Sequence, residues 1–528
     1  MRPFNIMRNM PGSEKKAKFI EQYADFIAGM GRSLNSPAWW ATWLASRDAF
    51  ASSANFIFES IFLGMPAKEF LKPDYGWRFV SHVAAMAKSG LKMTLHLLFN
   101  TRRLKKSVQQ QQKKWRATPI HVIKTFGFEK NFEANRFSDP YFPGLAAYLR
   151  TATQSPVLTV CDVIGAPNTA SRFAADIEGV VALQAFMRWW DVPRSLLAIT
   201  RGLLTPLPRH LVFAGQDVTT LIHRLYRFDL LSRDALYSFC VRYAFQRLAQ
   251  SFVVKSVTMT CENHPWERMA ISALRATTPS LRITSYQHSV VHEGLINMYL
   301  GQGEVEFAPV ADRLLTVGEI TAQNIVKYGR YGNVPVRAAC ALRFGYLHEL
   351  APRAKPAKDV LLVVLSGITQ GAELLDYVLA QASDLAGWKI VIREHPALKI
   401  ADLAFRNSRD YKLESIPNLE LSQGHSIVED LMRSSAVLYH SSTAALEALQ
   451  LGIPVIYYDD QRLLSVDPAQ DCPELHWQVS AKLQLRPTLA AIKAASADDL
   501  ARQTQKARQF VARYFYKVTP ESLKEFTV

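Results

Sequence analysis

Two short runs in the last third of the chain carry residue types that bind an anion and move a proton. In the first, the apolar Val437-Leu438-Tyr439 leads through His440 into Ser441-Ser442-Thr443, then into an Ala/Leu-rich stretch closed by Gly452-Ile453-Pro454. This order reads as strand, helix start, helix and turn into a further strand. Three hydroxyl residues beside the N–H groups and positive end of a helix suit a phosphate; they equally suit plain capping. In the second run Ile390-Val391-Ile392-Arg393 passes into Glu394-His395-Pro396, so an imidazole stands at a strand end where proline restricts the exit of the chain. His395 can donate a hydrogen bond to a departing anion or protonate it. A lone strand-end histidine is often structural, and its pairing with the hydroxyl run is what favours chemistry.

The N-terminal half holds a second pair of runs. Glu262-Asn263-His264-Pro265-Trp266-Glu267-Arg268 follows one strand-like segment and opens a helix, and Ser285-Tyr286-Gln287-His288-Ser289 follows the next. His292 lies a little beyond, in what reads as a loop. Phe126, Phe132 and the run Phe137–Gly144 either line a cleft or pack as core. No Gly-x-Gly-x-x-Gly follows the first strand and no Gly-x-x-x-x-Gly-Lys-Ser/Thr occurs, which argues against a dinucleotide dehydrogenase or a P-loop enzyme. The spacing of Cys and His offers no metal site.

These runs need strand ends to hold them. From about residue 117 short β-rich segments alternate with helix-length amphipathic ones, the pattern of parallel sheets with crossover helices. Strands are expected at 120–126, 157–161, 257–260, 283–286 and 313–317, with a helix at 140–149 and a long helical stretch at 171–250. After a Pro-containing linker at 346–358, strands are expected at 360–365, 388–393, 436–439 and 454–458. Two α/β domains, 117–345 and 359–528, then face each other across a cleft at their strand carboxyl ends. The 528 residues, 49% hydrophobic and 20% charged, are enough for two such units.

Lys+Arg 62 against Asp+Glu 46 gives a net charge of +16, and residues 1–116 hold 19 Lys/Arg and 7 Asp/Glu. An excess of 19 − 7 = 12 of the 16 therefore sits in this first segment, a helical extension with Trp39, Trp40, Trp43, Phe56, Phe58, Phe62, Trp77 and Phe79. It closes on Arg102, Arg103, Lys105, Lys106, Lys113 and Lys114, which reads as a solvated basic helix or a contact with an anionic membrane surface. Motifs of nucleic-acid modules are missing, so nucleic acid is not an expected partner. The stretch Met1–Arg8 has no secretory pattern, no apolar run reaches the ~18 residues of a bilayer span, and five scattered cysteines suit a reducing compartment. A cytoplasmic protein, peripheral on the inner face of the membrane, is the expectation.

Over about residues 358–470 the His395-Pro396 and Ser441-Ser442-Thr443 runs resemble the C-terminal half of GT-B glycosyltransferases, especially bacterial enzymes of capsule and lipopolysaccharide assembly that use CMP-activated Kdo or sialic acid. The resemblance implies a metal-independent transferase with no cofactor, two Rossmann-like domains, and a nucleotide-sugar donor held by Arg393, His395, Pro396, Ser441, Ser442, Thr443 and Glu447. It implies a glycan or lipid-linked glycan acceptor beside Glu267 and Gln287. The Glu262 and Gln287-His288 runs look like motifs of surface-carbohydrate proteins, but the acidic-acidic-Gly base motif of sialyltransferases is missing. Glu262 is then the first candidate for the base that deprotonates the acceptor, with His288 second. The absence of Asp-x-Asp argues against the metal-dependent GT-A type. A UDP-sugar or CDP-polyol transferase, or a sugar-nucleotide epimerase of the same fold, remains open because Arg393 and Arg343 offer cations for a second phosphate. So does a non-catalytic membrane-surface scaffold.

Overall fold

The computed structural model describes residues 12–48, 53–133, 136–163, 177–353, 359–367, 371–396 and 398–527, without the side chains of 100–103 and 406–407. Met1–Arg8, the 354–358 end of the expected linker and the side chains of Arg102 and Arg103 lie outside the described residues.

Runs rich in Val, Ile and Leu form two sheets, and every strand pair in both is parallel. The first comprises β1 (Ile120–Gly127), β2 (Val157–Val163), β3 (Val180–Ala182), β4 (Val254–Thr260), β5 (Arg282–Gln287), β6 (Arg313–Thr316) and β7 (Val336–Ala338). Its spatial order is 3-2-1-4-5-6-7. The second comprises β8 (Val360–Val364), β9 (Lys389–Arg393), β10 (Leu419–Leu421), β11 (Ala436–Tyr439), β12 (Val455–Asp459) and β13 (His476–Ser480), in the order 10-9-8-11-12-13. Each sheet thus starts at its middle, runs to one edge, and returns to fill the other side, which is the Rossmann order. The switch points, β1/β4 and β8/β11, are where such sheets open a crevice at their carboxyl ends.

The nine strands expected from the sequence are present. The four others, β3, β7, β10 and β13, lie at or next to sheet edges. The expected helix at 140–149 begins only at Leu145 and runs to Thr153, after a turn in which Asp139 accepts from the N–H groups of Tyr141 and Phe142. The helical stretch expected over 171–250 is interrupted. Residues 171–176 lie outside the described residues, β3 and a hairpin (Val212–Phe213 with Gln216–Asp217) intervene, and the helices are Asp191–Leu204, Thr219–Leu230 and Arg233–Ser251.

The first 116 residues are helical: Gly12–Leu34, Pro37–Trp40, Trp43–Ser46, Ala54–Phe62 and Tyr75–Trp115. Most aromatics of the helices before Tyr75 are core, whereas Phe56 and Trp77 are exposed. Phe19, Tyr23, Trp39 and Phe58 are fully buried, and Phe58 lies 5.0 Å edge-on to Phe213 while Trp39 stacks 6.1 Å from Tyr226. The segment shares one apolar core with the helices between β3 and β4 and with the first sheet.

An ion triad fastens this segment. Glu304, buried, receives Arg47 at 3.0 Å and Arg268 at 3.1 Å, and its Oε2 accepts the N–H of Gly301 at 2.9 Å. Burial pushes the carboxyl up, but the two guanidiniums outweigh it and hold the group below its usual range. A second apolar seam joins the domains: Tyr286, Leu315 and Val317 pack in one cluster with Tyr439, Leu446 and Tyr514. The C-terminal helix Ala497–Tyr514 reaches across it, and Gly318 permits the approach because a Cβ there would lie 2.2 Å from the Tyr514 carbonyl oxygen.

Removing one partner of a buried charge cluster leaves the others uncompensated, so Glu304→Ala is expected to lower the urea unfolding free energy by about 3–5 kcal/mol. Glu21→Ala, which breaks the half-exposed pair with Arg330, should cost no more than about 1 kcal/mol. Equal effects of the two substitutions would contradict the assigned role of the triad.

Candidate active site

A cleft of about 290 Å³ lies between the carboxyl edges of the two sheets, with residues of both domains in its wall. From the second sheet come His395, Ser441, Ser442 and Thr443; from the first come Glu262, His264, Gln287 and His292, with Asp48 from the N-terminal segment and Arg343 from the connection between domains.

The second-sheet side is built by two strand exits. β9 ends at Arg393, and the chain turns at His395, whose carbonyl accepts the N–H of Leu398 at 3.2 Å. The imidazole lies against Gly367, just beyond β8, where a Cβ would stand 2.7 Å from the ring. Burial, with a smaller contribution from Lys399, lowers the imidazole pKa, so His395 offers a neutral ring and a single N–H at neutral pH. β11 ends at Tyr439 and the helix Ala444–Gln450 follows. Ser442 Oγ accepts the N–H of Ala444 at 3.2 Å, so this hydroxyl does cap the helix, while Thr443 makes no side-chain cap hydrogen bond. His440, just before them, is buried with Nε2 3.1 Å from Asp460.

On the first-sheet side the chain leaves β4 through Glu262 and Asn263, the latter in the left-handed region at φ 57, which asparagine tolerates. His264 is the N-cap of Pro265–Thr277. Glu267 accepts the N–H groups of Glu262 at 3.0 Å and His264 at 3.1 Å, a capping arrangement. Asn297 donates to the Glu262 carbonyl at 2.6 Å and accepts from Asn263 through its own carbonyl. The backbone of Glu262 is therefore held from two sides.

Its carboxylate lies 3.6 Å from His264 Nδ1 and 3.8 Å from His288 Nε2, and His264 Nε2 lies 3.2 Å from Asp48. Burial would deprotonate His264, but Glu262 and Asp48 more than offset it and push the imidazole up to about 9. His288 and His292 show the reverse. Burial dominates and pushes each down to about 4. His288 sits edge-on to Tyr141 at 4.7 Å, and Arg343 stacks over the same Tyr141 ring at 4.9 Å.

Several expected site residues stand elsewhere. Glu267 faces backbone N–H groups rather than an acceptor, because the helix start after β4 uses its carboxylate as a cap. Arg393 points away from the cleft: its Nη1 pairs with Asp430 and donates to the His425 carbonyl at 2.9 Å. Glu447 is buried beside Tyr346; burial raises its carboxyl to about 7 against the hydrogen bond from Tyr346 and the charges of Arg393 and Arg343. Pro396 shapes the turn and is not in the cleft wall. Gln287 is in the wall, with its Oε1 accepting the Ser289 N–H at 2.7 Å. His288 touches Glu262 from behind rather than facing the cleft. Phe126 packs on Trp266 at 5.6 Å and on the buried Lys124 ammonium, and Phe132 and Phe142 are buried, so these three rings are packing, while Phe137 and Gly144 line a cavity apart from the cleft.

Asp48, His264 and Asn297 are the site residues that sequence reasoning missed. His264 is followed by a proline that marks a helix start, a usable signal; nothing local marks Asp48. Among the described residues no group of three or more His, Cys, Asp or Glu side chains is placed to hold a metal ion.

No family model and no curated protein matches the chain. Solved structures that it resembles include the glycotransferase of kitacinnamycin, at 12% identity over 77% of this chain and 98% of that one, TM-score 0.43. Others are the UDP-GlcNAc 2-epimerase of Methanocaldococcus jannaschii in complex with UDP-GlcNAc and UDP (11%, 77% and 98%, TM-score 0.40) and the glycosyltransferase SnogD of Streptomyces nogalater (11%, 78% and 99%, TM-score 0.38). The fold itself rests on the strand order: two Rossmann-order parallel sheets opposed at their carboxyl edges, the GT-B arrangement.

A histidine whose folded pKa is raised stabilises the fold below its unfolded pKa, and that contribution is lost as pH rises through the folded value. The stability advantage of the wild type over His264→Gln, read by urea unfolding, should therefore be constant below pH 6.5 and shrink as pH approaches and passes 9. Asp48→Asn should flatten this dependence. An advantage that stays level across the window would show that His264 is not held between the two carboxylates.

Proposed function

We propose that the chain is a glycosyltransferase of bacterial surface-polysaccharide assembly that transfers a 2-keto sugar acid, of the Kdo or sialic acid kind, from its CMP ester to a glycan or lipid-linked glycan. The observation that carries this reading is the make-up of the cleft. A neutral imidazole and a hydroxyl-bearing helix start on one wall oppose a carboxylate–imidazole–carboxylate group on the other, and Arg343 is the one Lys or Arg among the wall residues described. Arg393, the second cation that a pyrophosphate would recruit, is committed to Asp430. One guanidinium with one imidazole suits a leaving group bearing a single phosphate.

The chemistry needs no cofactor. An acceptor hydroxyl oxygen forms a bond to the anomeric carbon of the donor as the bond from that carbon to the phosphate oxygen breaks, and CMP departs with the bonding electrons. The hydroxyl proton passes to the Glu262 carboxylate. His395 and Ser441 donate hydrogen bonds to the departing phosphate, and Arg343 neutralises its charge. His264 holds Glu262 toward the cleft and is itself held by Asp48. Asn297 fixes the backbone beneath them.

A ligand that binds the native state raises its stability, by about 2.7 kcal/mol at a concentration a hundredfold above Kd. In a thermal-shift series CMP is expected to raise Tm more than CDP, UDP or GDP, and Ser441→Ala/Ser442→Ala is expected to remove the CMP shift. A larger shift from UDP or CDP, or an unchanged CMP shift in the double variant, would overturn the assignment of donor or of site.

A further inference from the structure

The Tyr75–Trp115 helix carries nine Lys/Arg and no Asp or Glu in 41 residues. Its two halves are used differently. Along the second half Leu104, Val108 and Trp115 are buried, the helix packs on β3 and the turn Leu183–Phe186, and Lys114 pairs with Glu178. The helix carrying this basic run is packed against the protein along its apolar face, while Lys106, Lys113 and Lys114 remain exposed.

The first half is fastened only along one face, where Tyr75 and His82 meet Phe228 at 5.2 and 4.8 Å. Away from that face Trp77, Val80, Leu91, Leu95, Leu98 and Phe99 are exposed, Trp77 and Phe99 at 76% each. With Ala84 and Ala87, the positions 77, 80, 84, 87, 91, 95 and 98 recur at intervals of three and four, which makes a second apolar stripe on the solvent side. Arg78, Lys88 and Lys92 flank it. The helix Asp191–Leu204 crosses at Gly90, where its Val192 and Leu196 lie within 4 Å of an added Cβ. It adds exposed Leu197, Leu204, Arg194 and Arg201, preceded by the exposed Trp189 and Trp190.

Apolar area of this kind left in water marks a contact surface. A polynucleotide would use the cations and leave the stripe wet. A second copy, joined face to face, would set cations against cations in a chain of net charge +16. No described helix is long and apolar enough to cross a membrane. An anionic bilayer meets every feature at once: acyl chains for Leu and Val, the interface for Trp and Phe, headgroup charge for Lys and Arg, and a helix that lies on the surface. We propose that the outer face of residues 75–99, with the Asp191–Leu204 helix beside it, docks on an anionic lipid surface.

This docking does not depend on which nucleotide the cleft binds, and its test uses no nucleotide. The full chain is sedimented with vesicles of phosphatidylcholine alone and of phosphatidylcholine with phosphatidylglycerol. Binding is expected to the second kind only. It should weaken about tenfold or more in Trp77→Ser/Leu91→Ser/Phe99→Ser and in Lys88→Gln/Lys92→Gln/Arg201→Gln, with thermal melts that match the wild type because all six side chains are exposed. Equal binding to both vesicles, binding to neither, or undiminished binding by the apolar variant would overturn the proposal. So would a dimer in sedimentation velocity that the apolar variant abolishes while no vesicle binds.

Discussion

The buried carboxylate of Glu304 joins parts of the chain that are far apart in sequence and places them one step from the cleft. Arg47, which it holds from one side, is the residue before Asp48; Arg268, held from the other, lies one helical turn after His264. The meeting of Asp48 with His264 at 3.2 Å is therefore set by an ion triad just behind it. Ion clusters of this kind contribute little net stability compared with apolar packing, yet they are costly to break. Such a cluster selects one register among the ways helices can pack. Here that register brings Asp48 from the N-terminal segment into the cleft wall beside Glu262 and His264, so this segment lines the cleft as well as sharing the core.

Charge is divided within the cleft by the same means. Three histidines stand within the N-terminal wall or directly behind it, His288 and His292 buried and His264 partly exposed. In His288 and His292 burial outweighs the nearby carboxylates and the rings are neutral, and the one lodged between Asp48 and Glu262 is cationic. The imidazolium orders the carboxylate without adding a second free cation to the cleft, while Arg343 is spread over Tyr141 and Phe344. Across the cleft His395 is neutral. In the proposed reaction the wall with His395 would bind the departing anion largely through directed N–H and O–H groups, and the wall with Glu262 would take the acceptor proton.

Much of this was legible in the sequence wherever the signal was local. Buried β-rich runs gave the nine inner strands, and the hydroxyl and imidazole runs at their ends reached the cleft wall as His395 and Ser441–Thr443. The edge strands β3, β7, β10 and β13 were not legible, since short strands paired on one side lack a long apolar run. Roles that depend on tertiary partners also escaped. Arg393 sits at the right strand end but is taken by Asp430, and Glu267 is taken by its own helix start. Asp48 carries no local mark at all. The second apolar stripe of the long helix was hidden because its aromatics read equally well as core, and only burial separates Trp39 from Trp77.

In the proposed reaction the two walls act together, with His395 serving the leaving phosphate. The measurement that bears on it most directly is release of CMP from a CMP-activated keto sugar acid, followed with and without a glycan acceptor, in the wild type and in His395→Ala. The expected result is acceptor-dependent CMP release that falls roughly 10²-fold in the variant while its melting temperature is kept. Release that ignores the acceptor, or a variant with near-normal turnover, would contradict it.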